Sequence, residues 1–267
     1  MIGIFDSGLG GLTVLKAVAK ELPGYPLLYL GDTARSPYGN RSQDLIYQFT
    51  QEAVDYLFKQ GCELVIIACN TASAEALRRI QQEWLPKNYP DKRVLGVIRP
   101  VAEEAIKVTR SGRISVLGTR ATILSKAFER EIKALRPTAK VFGVACPLLV
   151  PLIEEGFGQR AETKKIMRNY VRPLKQQKID TLILGCTHYA MLYKSFKAIA
   201  GKNIIVLDSS VIVAKKLKEY LKAHPEIDEK IIKNKKNRFL VTDLTDNFKL
   251  IAENWLSTKI DLEKVEL

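Results

Sequence analysis

From its first residues the chain alternates short apolar runs with stretches whose apolar residues recur at helical spacing, and few folds accommodate that order. Residues 2–5, 27–30, 64–68 and 94–98 are rich in Val, Ile and Leu and have the length of strands. Between them Leu12, Leu15, Val18 and Ala19 recur at helical spacing. Ser42 can cap a helix whose apolar stripe is Leu45, Phe49, Ala53, Tyr56 and Leu57, and residues 72–84 read as a third helix. The pattern then starts again. Strands are expected at 114–117, 140–144, 181–184 and 204–207, with helices through Leu124, Phe128 and Leu135 and over about 162–177. Residues 147–153 also read as a run ending at a strand end. Such alternation predicts an α/β fold with parallel sheets, helices on both faces and right-handed crossovers. Uninterrupted apolar strands fit sheets buried on both sides.

A chain of 267 residues suffices for one large domain or two of about 100–150 residues. The restart of the pattern favours two doubly wound units that resemble each other. We expect a first domain of residues 1–95 plus 209–267 and a second of residues 96–208. The helix 211–221 and the segment 239–256 would return to the first domain. Phe248, Ile251, Ala252, Trp255 and Leu256 mark an amphipathic helix in that segment. Residues 223–237 read as a polar loop and 257–267 as a frayed tail. Weak internal similarity supports the division: CELVIIACNTAS at 62–73 and IDTLILGCTHYA at 179–190 each run from an acid through a strand to a small residue, a cysteine and a threonine.

Composition narrows the function classes. An apolar fraction of 46% supplies a core and argues against disorder. No apolar run approaches the roughly 20 residues of a membrane helix, so no membrane partner is expected. The N-terminus carries Asp6 and lacks a basic leader, which points to the cytoplasm. Of the cysteines Cys62, Cys69, Cys146 and Cys186, no pair has C-x-x-C spacing, and no metal site is expected. Cys62 and Cys146 read as buried structural residues. The net charge of +13 has its densest stretch at 215–238, nine basic residues against four acids, which we read as a solvated face and loop. Without an aromatic-interleaved basic motif, nucleic acid is not expected as the primary partner.

Cys69 and Cys186 each follow a buried strand and precede a helical segment. Ligands of open α/β sheets sit beyond the carboxyl ends of the strands, where free N–H groups favour negative charge and so a thiolate. Asn70, Thr71, Thr187 and His188 add polar side chains directly after the thiols. Other strand ends are small and polar: residues 6–11 (DSGLGG), Gly31-Asp32 leading to Ser36-Pro37-Tyr38-Gly39, Gly118-Thr119 and Glu154-Glu155-Gly156. The glycine cluster lacks the spacing of a dinucleotide fingerprint.

These segments together resemble the bacterial glutamate racemases. The resemblance rests on IFDSGLGGLT at 4–13, Gly31-Asp32, Pro37-Tyr38-Gly39, ACNTAS at 68–73, GCTHY at 185–189 and FLVTD at 239–243. It implies interconversion of L- and D-glutamate without pyridoxal phosphate or metal, for peptidoglycan synthesis. It implies two pseudo-symmetric α/β domains with the active site in the cleft between them. It makes Cys69 and Cys186 the acid/base pair, and Asp6, His188 and Glu154 the catalytic groups that poise them. Asp6, Ser7, Tyr38, Gly39, Asn70, Thr71, Thr119, Thr187 and His188 look like substrate-binding positions. Two departures stand out. Ala190 follows Cys-Thr-His-Tyr where the family usually has proline, and Arg99-Pro100-Val101 stands where Pro-Gly is common.

The chemistry agrees with this. Racemisation removes a proton from one face of a carbon and returns one to the other, so one acid/base group per face serves both directions. Electrostatic stabilisation of the carbanion must supply the rest. Two alternatives remain. An aspartate racemase would share the two-cysteine plan. A cysteine hydrolase would use Cys186 with His188 as base, but residues two apart in a turn rarely align so, and Cys69 would have no part. The oligomeric state stays open, a homodimer being one option.

Overall fold

The structure, a computed structural model, describes residues 1–233 and 236–267. Six strands form one sheet in the order β10-β9-β2-β1-β3-β4: β1 (Ile2–Asp6), β2 (Leu27–Gly31), β3 (Leu64–Ile67), β4 (Arg93–Gly96), β9 (Arg238–Val241) and β10 (Leu262–Lys264). Four form the other in the order β6-β5-β7-β8: β5 (Arg113–Gly118), β6 (Lys140–Ala145), β7 (Thr181–Gly185) and β8 (Ile205–Leu207). Every pairing is parallel. The four strands β2-β1-β3-β4 and β6-β5-β7-β8 repeat one order, so β3 and β7 are equivalent strands. Chain-order reversals at β1 and β5 open a crevice beyond the strand ends of each sheet.

Alternate strand residues face opposite sides, and three apolar clusters result. Phe5, Leu28, Leu30, Val65 and Ile67 pack under the helix Gln43–Lys59. Leu182 and Leu184 pack with Met167, Val171 and Phe196 of the helices Ala161–Gln176 and Tyr193–Ala200. The third cluster joins the halves. It takes Ile2, Ile4, Leu64 and Ile66 from the first sheet and Ile114, Val116 and Ile183 from the second. Helices Leu12–Glu21, Ile98–Val108, Ala127–Leu135 and Ser209–Ala223 fill the space between them. The last of these lies against Leu12–Glu21, and β9 adds to the outer edge of β2.

Several local expectations need correction. The run 94–98 is strand only to Gly96. Ile98, Val101, Ala102 and Ala105 are the buried stripe of the helix Ile98–Val108, with Pro100 in its first turn, where no N–H is missed. Residues 147–153 are not a strand. Pro151, which cannot donate to a ladder, sits in the first turn of the helix Leu149–Glu154. The helix expected at 72–84 starts at Asn70, breaks at Ala76 and continues as a π turn, Ile80–Trp84. The helix expected through Leu124 and Leu135 is two, parted by Lys126 in the left-handed region (φ 54°), which leaves Leu124 80% exposed. The tail 257–267 is not frayed throughout, since β10 pairs with β9. Within the loop expected at 223–237, Pro225–Asp228 is helical, and residues 234–235 lie outside the described residues.

Tyr29 ties the fold to the loop after β1. Fully buried on β2, it donates its hydroxyl to the carbonyl oxygen of Gly8. Tyr29→Phe leaves that carbonyl without its partner. The unfolding free energy in urea should fall by about 1–3 kcal/mol with helix and strand content unchanged. An unaltered midpoint and slope would mean that the hydroxyl does not hold the loop.

Candidate active site

The two cysteines that the sequence singles out sit at equivalent strand ends and line one cavity. Cys69 caps the helix Asn70–Glu75 after β3, and Cys186 continues β7 in extended backbone before a 3₁₀ turn, Thr187–Leu192. Ser7, Ser36, Pro37, Tyr38, Gly39, Asn70, Thr71, Thr119, Val150, Thr187 and His188 complete the walls. The cavity has a volume of about 30 Å³. Of the expected site residues, Asp6 and Glu154 stand behind the walls. Asp6 accepts hydrogen bonds from Gly8 N (3.0 Å) and Thr187 Oγ1 (3.2 Å), and Glu154 Oε1 lies 2.9 Å from His188 Nε2.

The thiols have unlike surroundings. Burial pushes Cys69 up to about 12, and the Asp6 carboxylate adds to this. The Ser7 hydroxyl, 3.4 Å from Cys69 Sγ, partly offsets it. On the other side, His188 Nδ1 is 3.9 Å from Cys186 Sγ. Burial opposes a charge on His188, yet its hydrogen bonds to Cys186 and Glu154 outweigh burial and lift it to about 10. Residues two apart do align here, because the 3₁₀ turn folds the imidazole back over the thiol. Burial also raises Asp6 to about 6, against the pull of His188 and the hydrogen bonds it accepts.

Close approach of the halves depends on two glycines. A Cβ on Gly10 would lie 2.3 Å from Thr187 Oγ1 and 2.6 Å from His188 Nδ1. One on Gly39 would lie 2.8 Å from Thr119 Cβ. Across the same seam Thr71 Oγ1 meets Thr119 Oγ1 at 2.9 Å and Thr122 Oγ1 at 3.2 Å. Asn70 is 2% exposed, and its amide oxygen and nitrogen both lack a hydrogen-bond partner among the described residues. A buried unpaired amide is costly, so Asn70 is ready to receive a ligand group.

Tyr38 departs from the simplest expectation for a binding residue. Its hydroxyl is already donated to Asp32, which also takes Arg35 Nε (2.7 Å) and Thr242 Oγ1 (2.9 Å). Tyr38 therefore offers the cavity its ring and backbone. Sequence reading did not single out Asp32 in this role, nor Thr122 and Val150. Thr122 carried a signal, three residues beyond the capping Thr119, whereas Val150 was hidden by reading 147–153 as a strand. A larger cavity, about 510 Å³, lies elsewhere between the halves, bounded by Leu77, Arg99 and Tyr220. No thiol lines it, whereas Cys69 and Cys186 both line the small one.

All four cysteines are free and buried. Among the described residues no group of His, Cys, Asp or Glu side chains is arranged to hold a metal ion, and no helix is long and apolar enough to cross a membrane.

Known proteins give this geometry a context. Residues 9–217 match the Asp/Glu/Hydantoin racemase family. The chain is 43% identical to the glutamate racemase of Chlorobaculum parvum over 99% of its own length and 95% of the relative's. It superposes on a glutamate racemase isoform from Bacillus anthracis with a TM-score of 0.92 at 36% identity, covering 100% of this chain and 97% of that one. With the glutamate racemase of Francisella tularensis, solved in complex with D-glutamate, the TM-score is 0.88 at 33% identity, over 99% and 97% of the two chains. Matched along nearly its whole length in sequence and in fold, the chain belongs to the Asp/Glu/Hydantoin racemase family, among its glutamate racemases.

Proposed function

We propose that the chain interconverts L- and D-glutamate by proton transfer between Cys69 and Cys186 on opposite faces of the substrate α-carbon, without a cofactor. The observation that carries this reading is that thiols from equivalent strand ends of two sheets line one cavity. One sulfur, as thiolate, takes the α-hydrogen as a proton. The electron pair left behind is delocalised into the α-carboxylate. The other sulfur, as thiol, returns a proton to the opposite face. The sulfurs have then exchanged charge states, and the reverse reaction retraces the path.

His188, held by Glu154, supplies positive charge beside Cys186. Asp6 carries negative charge that makes the Cys69 sulfur a stronger base. The Asn70 amide, the backbone at Tyr38 and Gly39, and the hydroxyls of Ser7, Thr71, Thr119 and Thr187 would grip the substrate's polar groups. Such preorganised donors are the main source of carbanion stabilisation. A space of about 30 Å³ has room for a water or two rather than an amino acid, so the halves must part to admit substrate and close to exclude solvent. We assign the enzyme to the cytoplasm, where its free thiols stay reduced, and its product to peptidoglycan synthesis. The two residue stretches taken as domains, 1–95 with 209–267 and 96–208, would be the bodies that move.

The reaction is tested with L-glutamate in heavy water and no added cofactor. Optical rotation should decay while deuterium enters the α-carbon, and aspartate at equal concentration should turn over far more slowly. Retention of rotation and α-hydrogen would contradict racemisation, and faster turnover of aspartate would reassign the substrate. Cys69→Ala and Cys186→Ala should each cut turnover by at least about 10²–10⁴-fold with circular dichroism unchanged. Full activity in either would end the paired-thiol mechanism.

The pH dependence follows from the same groups. The mechanism needs Asp6 ionised and His188 protonated. kcat/KM should therefore rise as pH passes about 6 and fall as it passes about 10. Asp6→Asn should remove the acid limb and leave the alkaline one. A profile flat from pH 5 to 11 would contradict these roles.

A further inference from the structure

Much of the chain's positive charge lies in residues 96–208, and six of those cations share one face whose residues do not line the cavity of the two thiols. Residues 96–208 hold 20 Lys and Arg against nine Asp and Glu, most of the net +13. On the helix Ala161–Gln176 the exposed residues Lys165, Arg168, Arg172 and Lys175 follow one another at spacings of three, four and three. That is a single stripe along one side of the helix, roughly 15 Å long. Lys194 and Lys197 are exposed on the helix Tyr193–Ala200, packed beside it. The two groups adjoin: a Cβ on Gly201, just past the second helix, would lie 4.0 Å from Lys175 Nζ.

None of these six cations takes part in an ion pair or donates a side-chain hydrogen bond among the described residues. By contrast, Lys216 and Lys218 of the basic stretch noted in the sequence are paired with Glu103, Glu219 and Glu21. The nearby acids do not neutralise the face. Glu162 lies in the first turn of the helix, before the stripe begins. Asp180 accepts hydrogen bonds from the hydroxyls of Thr109, Ser111 and Thr181 and the backbone N–H groups of Arg110 and Ser111, and its carboxylate pairs with none of the six cations among the described residues. Six like charges left together repel one another, and a polyanion relieves that cost.

We propose that this face is a sequence-independent docking surface for the phosphodiester backbone of double-stranded nucleic acid, a secondary binding activity separate from catalysis. Two absences on the face favour a duplex. None of the exposed large apolar residues lies on either helix, so the face lacks the side chains that insert into a lipid surface. The aromatic rings on these two helices, Tyr170, Tyr193 and Phe196, are half-buried or buried, which leaves unpaired bases no exposed ring on them to stack on. A line of Lys and Arg can neutralise successive phosphates, a contact that carries no sequence information. These helices cover the outer side of the second sheet, so a docked duplex leaves the catalytic cavity free.

The experiment is fluorescence anisotropy of a labelled 24-base-pair duplex of arbitrary sequence titrated with the full-length protein at 50 and 200 mM salt. Four neutralised phosphates predict a slope of about −3.6 in log K against log salt, or about 150-fold weaker binding at the higher salt. The quadruple variant Lys165→Gln, Arg168→Gln, Arg172→Gln, Lys175→Gln should bind at least about tenfold more weakly at 50 mM and flatten the slope, while racemising glutamate at the parent rate. A control that removes as much charge elsewhere, Lys20→Gln, Lys215→Gln, Lys222→Gln, Lys230→Gln, should bind like the parent. The same ratio from the single variant Arg172→Gln, smaller in size, covers failure of the quadruple variant to fold. No binding at 50 mM salt, equal loss in the control, or binding to anionic phospholipid vesicles but not to the duplex would each overturn the proposal.

Discussion

The apolar layer between the two sheets carries the geometry of the site. Ile2 and Ile4 of β1 and Ile114 and Val116 of β5 belong to one core, filled by helices from both parts of the chain. Burial of this kind is non-directional and proportional to area, so the layer holds the sheets together without fixing a single angle between them. The carboxyl ends of the strands then face one another across a seam. Bare glycines at 10 and 39 let that seam close to hydrogen-bonding distance. A core that clamps, and a rim that is small and polar, is what a reaction requires when both faces of one carbon must be reached and water kept out.

Near-equivalence of the strand ends does not make the two thiols equal. Cys69 has burial and a buried carboxylate against its ionisation, with only the Ser7 hydroxyl and a backbone N–H on the other side of the balance. Cys186 has a histidine whose proton is held by Glu154 and by the sulfur itself. One side of the cavity thus concentrates negative charge and the other brings in positive charge. A reaction that exchanges thiol and thiolate at each turnover needs this kind of opposed bias, because two thiolates or two thiols would be idle. The Cys186–His188–Glu154 order also resembles a hydrolytic triad, but the opposing thiol in the same cavity serves no purpose in acyl transfer.

Much of this was legible in the residues because the signals were local. Continuous Val/Ile/Leu runs marked β1, β2, β3, β5 and β7, all buried on both faces. Cysteine followed by a short polar residue at two matching strand ends marked the two thiols that line one cavity. What escaped was set by tertiary context. Ile98 continues an apolar run, yet Pro100 and the buried stripe Val101, Ala102 and Ala105 make it the start of a helix. Pro151 gave a similar warning at 147–153. The role of Asp32 was invisible, since its partners Tyr38 and Thr242 meet only after β9 joins β2. Unpaired charge on the outer helices was hidden too, because pairing depends on which acids end up nearby and not on how basic a stretch is.

A structure of the protein with glutamate bound tests the central claim most directly. The account predicts the sulfurs of Cys69 and Cys186 on opposite sides of the substrate α-carbon, each within about 3–3.5 Å or slightly more of it, with the Asn70 amide engaged by the ligand. Both sulfurs on the same side, or a ligand seated where only one can reach its α-carbon, would contradict it.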